Sequence, residues 1–160
     1  MPDPTTVESF DDQSDAIPDD VLLYRRIPPV GIDWTKRNMA GEPRLSGGGF
    51  QDYSAAKAAD YGLPGPAMSV GLQSVLVQYG KEPGVMLDGF PDTYGLAGVR
   101  AGEVRALNQG VMANPTEKEP WHAVVYSKDG KRRSPSVQTK IAQVARWVLL
   151  PADPAIRESG

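Results

Sequence analysis

The stretch Trp121-His122-Ala123-Val124-Val125-Tyr126-Ser127 is apolar on both alternating faces of an extended chain. A strand of that kind needs cover above and below and neighbours at both edges. It therefore predicts a sheet with this segment in its interior. Val21-Leu22-Leu23-Tyr24-Arg25-Arg26-Ile27 makes a second strand, β-rich, too short for a helix and stopped by Pro28-Pro29. Its leading half is apolar on both faces, so it too belongs inside the sheet. Shorter strands are predicted at 67–70, 95–100 and 111–113, each bounded by Gly, Pro or Asn.

Helical spacing interrupts these strands without alternating strictly with them. Ser54 and Gly62 frame a short helix as N-cap and C′ residue. Leu72, Val75, Leu76 and Tyr79 recur at i, i+3, i+4, i+7 before Gly80, and 103–107 gives one to two further turns. The last helix opens at Ser134-Pro135, with Pro135 at the first helical position. Its apolar stripe runs through Val137, Ile141, Val144, Ala145 and Val148 until Pro151 stops it. The long connection from Pro28 to Gly49 shows little periodicity. The pattern predicts an α+β fold: one domain over 21–151, with a mixed or antiparallel sheet and a long C-terminal helix packed on it.

Residues 1–20 read differently. They hold seven of the 20 acidic residues (Asp3, Glu8, Asp11, Asp12, Asp15, Asp19, Asp20) and no Lys or Arg. With few apolar groups to offset ordering entropy, they are expected to form a disordered acidic tail. Residues 152–160 are expected to be a flexible C-terminal tail. The remaining 140 residues then carry 13 acidic against 17 basic side chains, a body charge of +4. That favours an anionic ligand, but it falls well short of the clustered basic stripe of a nucleic-acid binder. No leader pattern opens the chain and no apolar run approaches the ~18 residues of a membrane span, so a cytoplasmic location without a membrane partner is expected. The absence of cysteine excludes disulfides and thiolate-ligated metals, and a single histidine excludes a histidine cluster, so no metal is expected. Oligomeric state is not legible.

Several residues carry chemistry. A guanidinium at the end of an interior strand can bind a diphosphate bidentately, which points to Arg25 or Arg26. Strand alternation allows at most one of the two to face a given cleft. The bland alternative pairs both with carboxylates or water. Ser46-Gly47-Gly48-Gly49-Phe50 can expose backbone N–H groups to an anion, with Phe50 free for stacking, although it matches neither a P-loop nor a GxGxxG fingerprint. His122 is the only histidine, the residue type suited to shuttling a proton, yet its apolar strand favours a buried, hydrogen-bonded structural role. Glu82 and Glu103 are the carboxylates best placed to face a cleft, against the plainer readings of a solvated Glu82 and a Glu103 at its helix N-terminus. The turn at 128–133, with four cations and one Asp, reads as a solvated loop.

Two segments carry a resemblance. Leu23-Tyr24-Arg25-Arg26-Ile27-Pro28-Pro29 and the run from Asn114-Pro115 through Pro120-Trp121-His122-Ala123 resemble a family of small uncharacterised bacterial proteins with a Tyr-Arg-Arg strand and an Asn-Pro-X-His-Ala segment. The order of Tyr-Arg strand, glycine segment, Ser-containing strand at Met68-Ser69-Val70 and helix is also similar to the start of the ADP-ribosyltransferase fold, with RES-type NAD-consuming toxins as the nearest comparison. That resemblance implies NAD as substrate and an enzyme of ADP-ribosyltransferase or NAD-glycohydrolase type in a bacterial toxin or defence setting. Arg25 or Arg26 would hold the pyrophosphate, with Gly47, Gly48, Gly49 and Phe50 bordering the cleft. Ser69 would place the nicotinamide ribose, and Glu82 or Glu103 would stabilise the cation-like transition state. The competing expectation is a non-catalytic accessory module that binds a protein partner of such a cluster.

Overall fold

A computed structural model describes residues 17–52 and 65–154. The helix expected at 54–62 lies outside the described residues. The architecture is α+β in a single domain, built on a six-stranded sheet with order β6-β7-β4-β1-β5-β8. Its strands are β1 (Leu22–Ile27), β4 (Ala67–Leu72), β5 (Gly95–Arg100), β6 (Gln109–Ala113), β7 (His122–Ser127) and β8 (Arg146–Leu149). Every neighbouring pair is antiparallel. Both strands expected in the interior are there: β7 lies between β6 and β4, and β1 between β4 and β5.

The sheet is not uniform across its middle. β1 pairs with β5 along all six residues, from Leu22↔Arg100 to Ile27↔Gly95. It pairs with β4 only through Leu23↔Leu72 and Tyr24↔Gly71. Beyond that rung the two central strands separate, and the sheet forks at the C-terminal end of β1.

Three α-helices are present among the described residues: α1 (Gln73–Gln78), α2 (Ala101–Arg105) and α3 (Pro135–Val144). α3 starts as expected, with Pro135 in its first turn and Ser134 Oγ accepting the Val137 N–H at 3.2 Å. It ends sooner than its apolar stripe suggests. Ala145 is already extended, and 146–149 adds to the sheet as β8. Trp147, Val148 and Leu149 favour a strand, and the open edge of β5 offers backbone partners that another helical turn would leave unpaired.

The connection from Pro28 to Gly49 also holds more structure than its sequence promised. β2 (Ile32–Arg37) and β3 (Pro43–Leu45) form a separate hairpin. Its loop is closed by the Asn38 side chain, whose Oδ1 accepts the N–H groups of Ala40 and Glu42. Single-turn 3₁₀ segments follow Pro28 and occupy 47–50 and 83–87. The first two touch backbone to backbone: a Cβ on Gly31 would lie 2.5 Å from the Gly49 Cα, so position 31 requires glycine.

One face of the sheet supplies Leu23, Ile27, Met68, Val70, Val99, Val111 and Val125 to the main core, closed by Phe50, Ile141 and Ala142. Ile17 packs into the same cluster, and the Asp19 carbonyl accepts the Gly102 N–H. The other face carries a smaller cluster of Tyr24, Leu76, Met86, Leu96 and Trp121. No helix among the described residues is long and apolar enough to cross a membrane.

Candidate functional site

Directly paired residues of antiparallel strands share a face. Tyr24↔Gly71 and Gly71↔His122 therefore put Tyr24, Arg26, Ser69 and His122 on one side of the sheet, and Arg25 on the other. At the fork this separation loses its force. Both arginines line the same cavity of about 550 Å³, together with Ser69, His122, Met86, Phe90, Tyr94, Thr116, Lys118 and Glu119. The one-sided expectation for adjacent strand residues fails here because β4 no longer fills the edge of β1.

Carbonyls hold the Arg25 guanidinium, and a carbonyl and a carboxylate hold that of Arg26. Arg25 Nε donates to Gly49 O at 2.9 Å and Nη1 to Ser69 O at 3.0 Å, so the side chain spans the gap between the glycine segment and β4. Arg26 Nε donates to Met86 O, and Nη2 to Glu119 Oε1 at 3.1 Å. Its Cζ also lies 4.6 Å from the centre of the Phe90 ring, itself 5.3 Å from the Tyr94 ring. These contacts fix the plane of Arg26 and use Nε and Nη2. The remaining terminal nitrogen, Nη1, has no hydrogen-bond partner among the described residues.

The loop between β6 and β7 positions the rest. His122 N–H donates to Glu119 O at 2.9 Å, Asn114 N–H to His122 O at 2.9 Å, and Thr116 Oγ1 accepts from Glu119 N at 2.9 Å. His122, only 8 % exposed, is bonded at both ring nitrogens. Nδ1 lies 2.8 Å from Asn114 O, and Nε2 lies 2.7 Å from Ser69 Oγ. A carbonyl only accepts, so Nδ1 carries a proton, and in the neutral imidazole the Nε2 lone pair accepts the Ser69 hydroxyl proton. The result is a directed chain from Ser69 through His122 to the Asn114 carbonyl, opening on a cavity with three cations and one carboxylate. Such a lining suits a ligand with negative charge and a flat apolar group.

Other expected site residues lie elsewhere. Glu82 precedes the 3₁₀ turn at 83–87 and borders a different depression beside Tyr24 and Gln73. Glu103 Oε1 accepts the Arg100 N–H at 2.9 Å at the start of α2, the capping role that its position allowed. Phe50 is fully buried in the main core, so it is not available for stacking. Gly47 and Gly48 pack against Thr139 and Val30, and of the glycines only the Gly49 carbonyl reaches Arg25. A larger open groove of about 870 Å³, between the β2–β3 hairpin and α3–β8, takes in Ser46 and Gly47, but its cations Lys36, Arg37, Arg44 and Arg146 are mixed with Asp33 and Glu42.

Sequence reasoning passed over Glu119, Lys118, Thr116, Phe90 and Tyr94, all in aperiodic loops. It also passed over Arg133, placed in a solvated turn yet 2 % exposed. Arg133 pairs with Asp52, and it donates from Nη1 to Phe50 O at 3.2 Å, from Nη2 to Val125 O at 2.9 Å and from Nε to Gln109 Oε1 at 3.0 Å. Burial pulls this guanidinium below its ordinary value, and the Asp52 carboxylate opposes that pull. The network ties the end of the glycine segment to β6 and β7. No group of three or more potential metal-ligating side chains occurs among the described residues. Comparison with protein-family models, with curated proteins and with solved structures finds no match to this chain.

Proposed function

We propose that the fork cavity binds NAD and that the chain is an enzyme of ADP-ribosyltransferase or NAD-glycohydrolase type. The observation that carries this reading is the meeting of Arg25, Arg26, Lys118, the Phe90–Tyr94 aromatic pair, Ser69 and Glu119 in one cavity where the two central strands part. The pyrophosphate takes the unbonded Nη1 of Arg26 and the Lys118 ammonium, where charge-assisted bonds are strongest. A flat ring packs on the aromatic pair. Ser69 Oγ, which gives its proton to His122, accepts from a ribose hydroxyl. Glu119 takes the place expected of Glu82 or Glu103: its carboxylate stabilises the positive charge that grows on the ribose C1′ as the bond to nicotinamide breaks. The acceptor is water or a nucleophile on a partner, which suits a toxin or defence effector.

The test is nicotinamide release from NAD by the purified chain. Arg26→Ala is expected to raise KM about tenfold through loss of a charged hydrogen bond, and Glu119→Gln to lower kcat roughly 10²- to 10³-fold. Absence of both NAD turnover and an NAD-dependent rise in melting temperature rejects the NAD-handling enzyme and favours the accessory protein-binding module.

A further inference from the structure

We propose that Ser69 is a nucleophile with His122 as its general base, and that the cavity carries an esterase-type activity toward acyl esters bearing a negative charge. This activity goes beyond NAD handling and does not rest on it.

The geometry is that of an activated hydroxyl. Ser69 Oγ lies 2.7 Å from His122 Nε2, within the range for direct proton transfer. The far ring nitrogen is held at 2.8 Å by Asn114 O, which fixes both the tautomer and the ring plane. A hydroxyl that served only to stabilise β4 would not need to open on a cavity, yet Ser69 and His122 both line it. Diagonal placement across the β4–β7 ladder, set by Gly71↔His122 and Ser69↔Val124, holds the two side chains together on one face. The rigid sheet, rather than a loop, therefore aligns nucleophile and base.

Charge selects the substrate. Arg26 and Lys118 line the same space and attract a carboxylate or phosphate on the acyl group. In the first step Ser69 Oγ attacks the ester carbonyl while its proton passes to His122 Nε2. The tetrahedral adduct then collapses: the carbon–oxygen bond to the alcohol breaks, and the proton on Nε2 goes to the leaving oxygen. Water, deprotonated by the same nitrogen, attacks the acyl-serine, and the hydroxyl of Ser69 is restored as the acid leaves. No oxidant, reductant or metal is needed.

The experiment has two arms on the full chain. In the first, an alkyl fluorophosphonate is added and the labelled residue is located by peptide mass mapping; the Oγ–phosphorus bond forms, fluoride leaves and the proton goes to His122. Label on Ser69 is expected, with none in Ser69→Ala. His122→Ala is expected to label roughly 10²- to 10⁴-fold more slowly, with added imidazole restoring part of the rate, a rescue that a purely structural histidine does not show. In the second arm, the mono-p-nitrophenyl ester of succinate is expected to be cleaved at least ~10-fold faster than p-nitrophenyl acetate, the worth of one charged contact. Wild type that stays unlabelled beside a fully labelled serine esterase overturns the proposal. So does label that persists in Ser69→Ala, or equal rates on the two esters. A wild type that neither turns over NAD nor is stabilised by it, yet still labels at Ser69, rejects the dinucleotide reading alone.

Discussion

Arg26 is restrained on three sides, by the Met86 carbonyl, the Glu119 carboxylate and the Phe90 ring. A guanidinium fixed in this way loses little further entropy on meeting an anion, which is why a pre-set Arg binds better than an equally charged but mobile Lys. Two residues back on the same strand, Tyr24 is buried beneath α1, where burial raises its phenol above the ordinary tyrosine value; the Gln73 hydrogen bond opposes this and the nearby Glu82 charge adds to it. The neutral phenol is the form that the fold favours. Its contribution is fully present below the ordinary tyrosine value of about 10 and is lost as pH rises through the elevated folded value. The unfolding midpoint should therefore fall across that alkaline window, and fall less in Tyr24→Phe; equal falls would show that ionisation of Tyr24 is not what weakens the fold. The arginines were legible because two cations at the end of an interior strand are out of place. Glu119 was not, since a carboxylate among Thr, Lys and Pro in a loop looks like any solvated acid until the loop folds back on His122.

Elements explain where local pattern was enough and where it failed. The strands 22–27 and 122–127 and the start of α3 were readable from periodicity and from Ser134-Pro135. The hairpin at 32–45 and the edge strand 146–149 were not: the hairpin lacks an alternating pattern and is closed by the Asn38 side chain, and the edge strand depends on distant partners, with Trp147 Nε1 donating to Pro43 O at 2.8 Å. The same holds for the Asp52–Arg133 pair, whose members are 81 residues apart and whose side chains are fully buried. Losing one partner leaves a buried charge without compensation, so Asp52→Ala should cost about 3–5 kcal/mol. Urea unfolding monitored by tryptophan fluorescence should show that loss as a lower midpoint. A cost below ~1 kcal/mol would mean that the carbonyls of Phe50 and Val125 suffice to hold the guanidinium.

At the scale of the whole molecule the decisive feature is the partial pairing of β1 with β4. A sheet paired throughout would send Arg25 and Arg26 to opposite sides, with the Ser69–His122 chain facing only one of them. Because the ladder stops after Tyr24↔Gly71, one end of the sheet opens and both arginines reach a single cavity. α+β class and the interior place of two strands could be reasoned from sequence, but a fork is a property of register between distant strands, and no residue pattern announces it. The most direct measurement is isothermal titration of NAD into the wild-type chain and into Arg26→Ala. Saturable one-to-one binding by wild type is expected, weakened about tenfold or more when the guanidinium is removed. Equal affinity in both proteins, or no heat of binding to wild type, would contradict it.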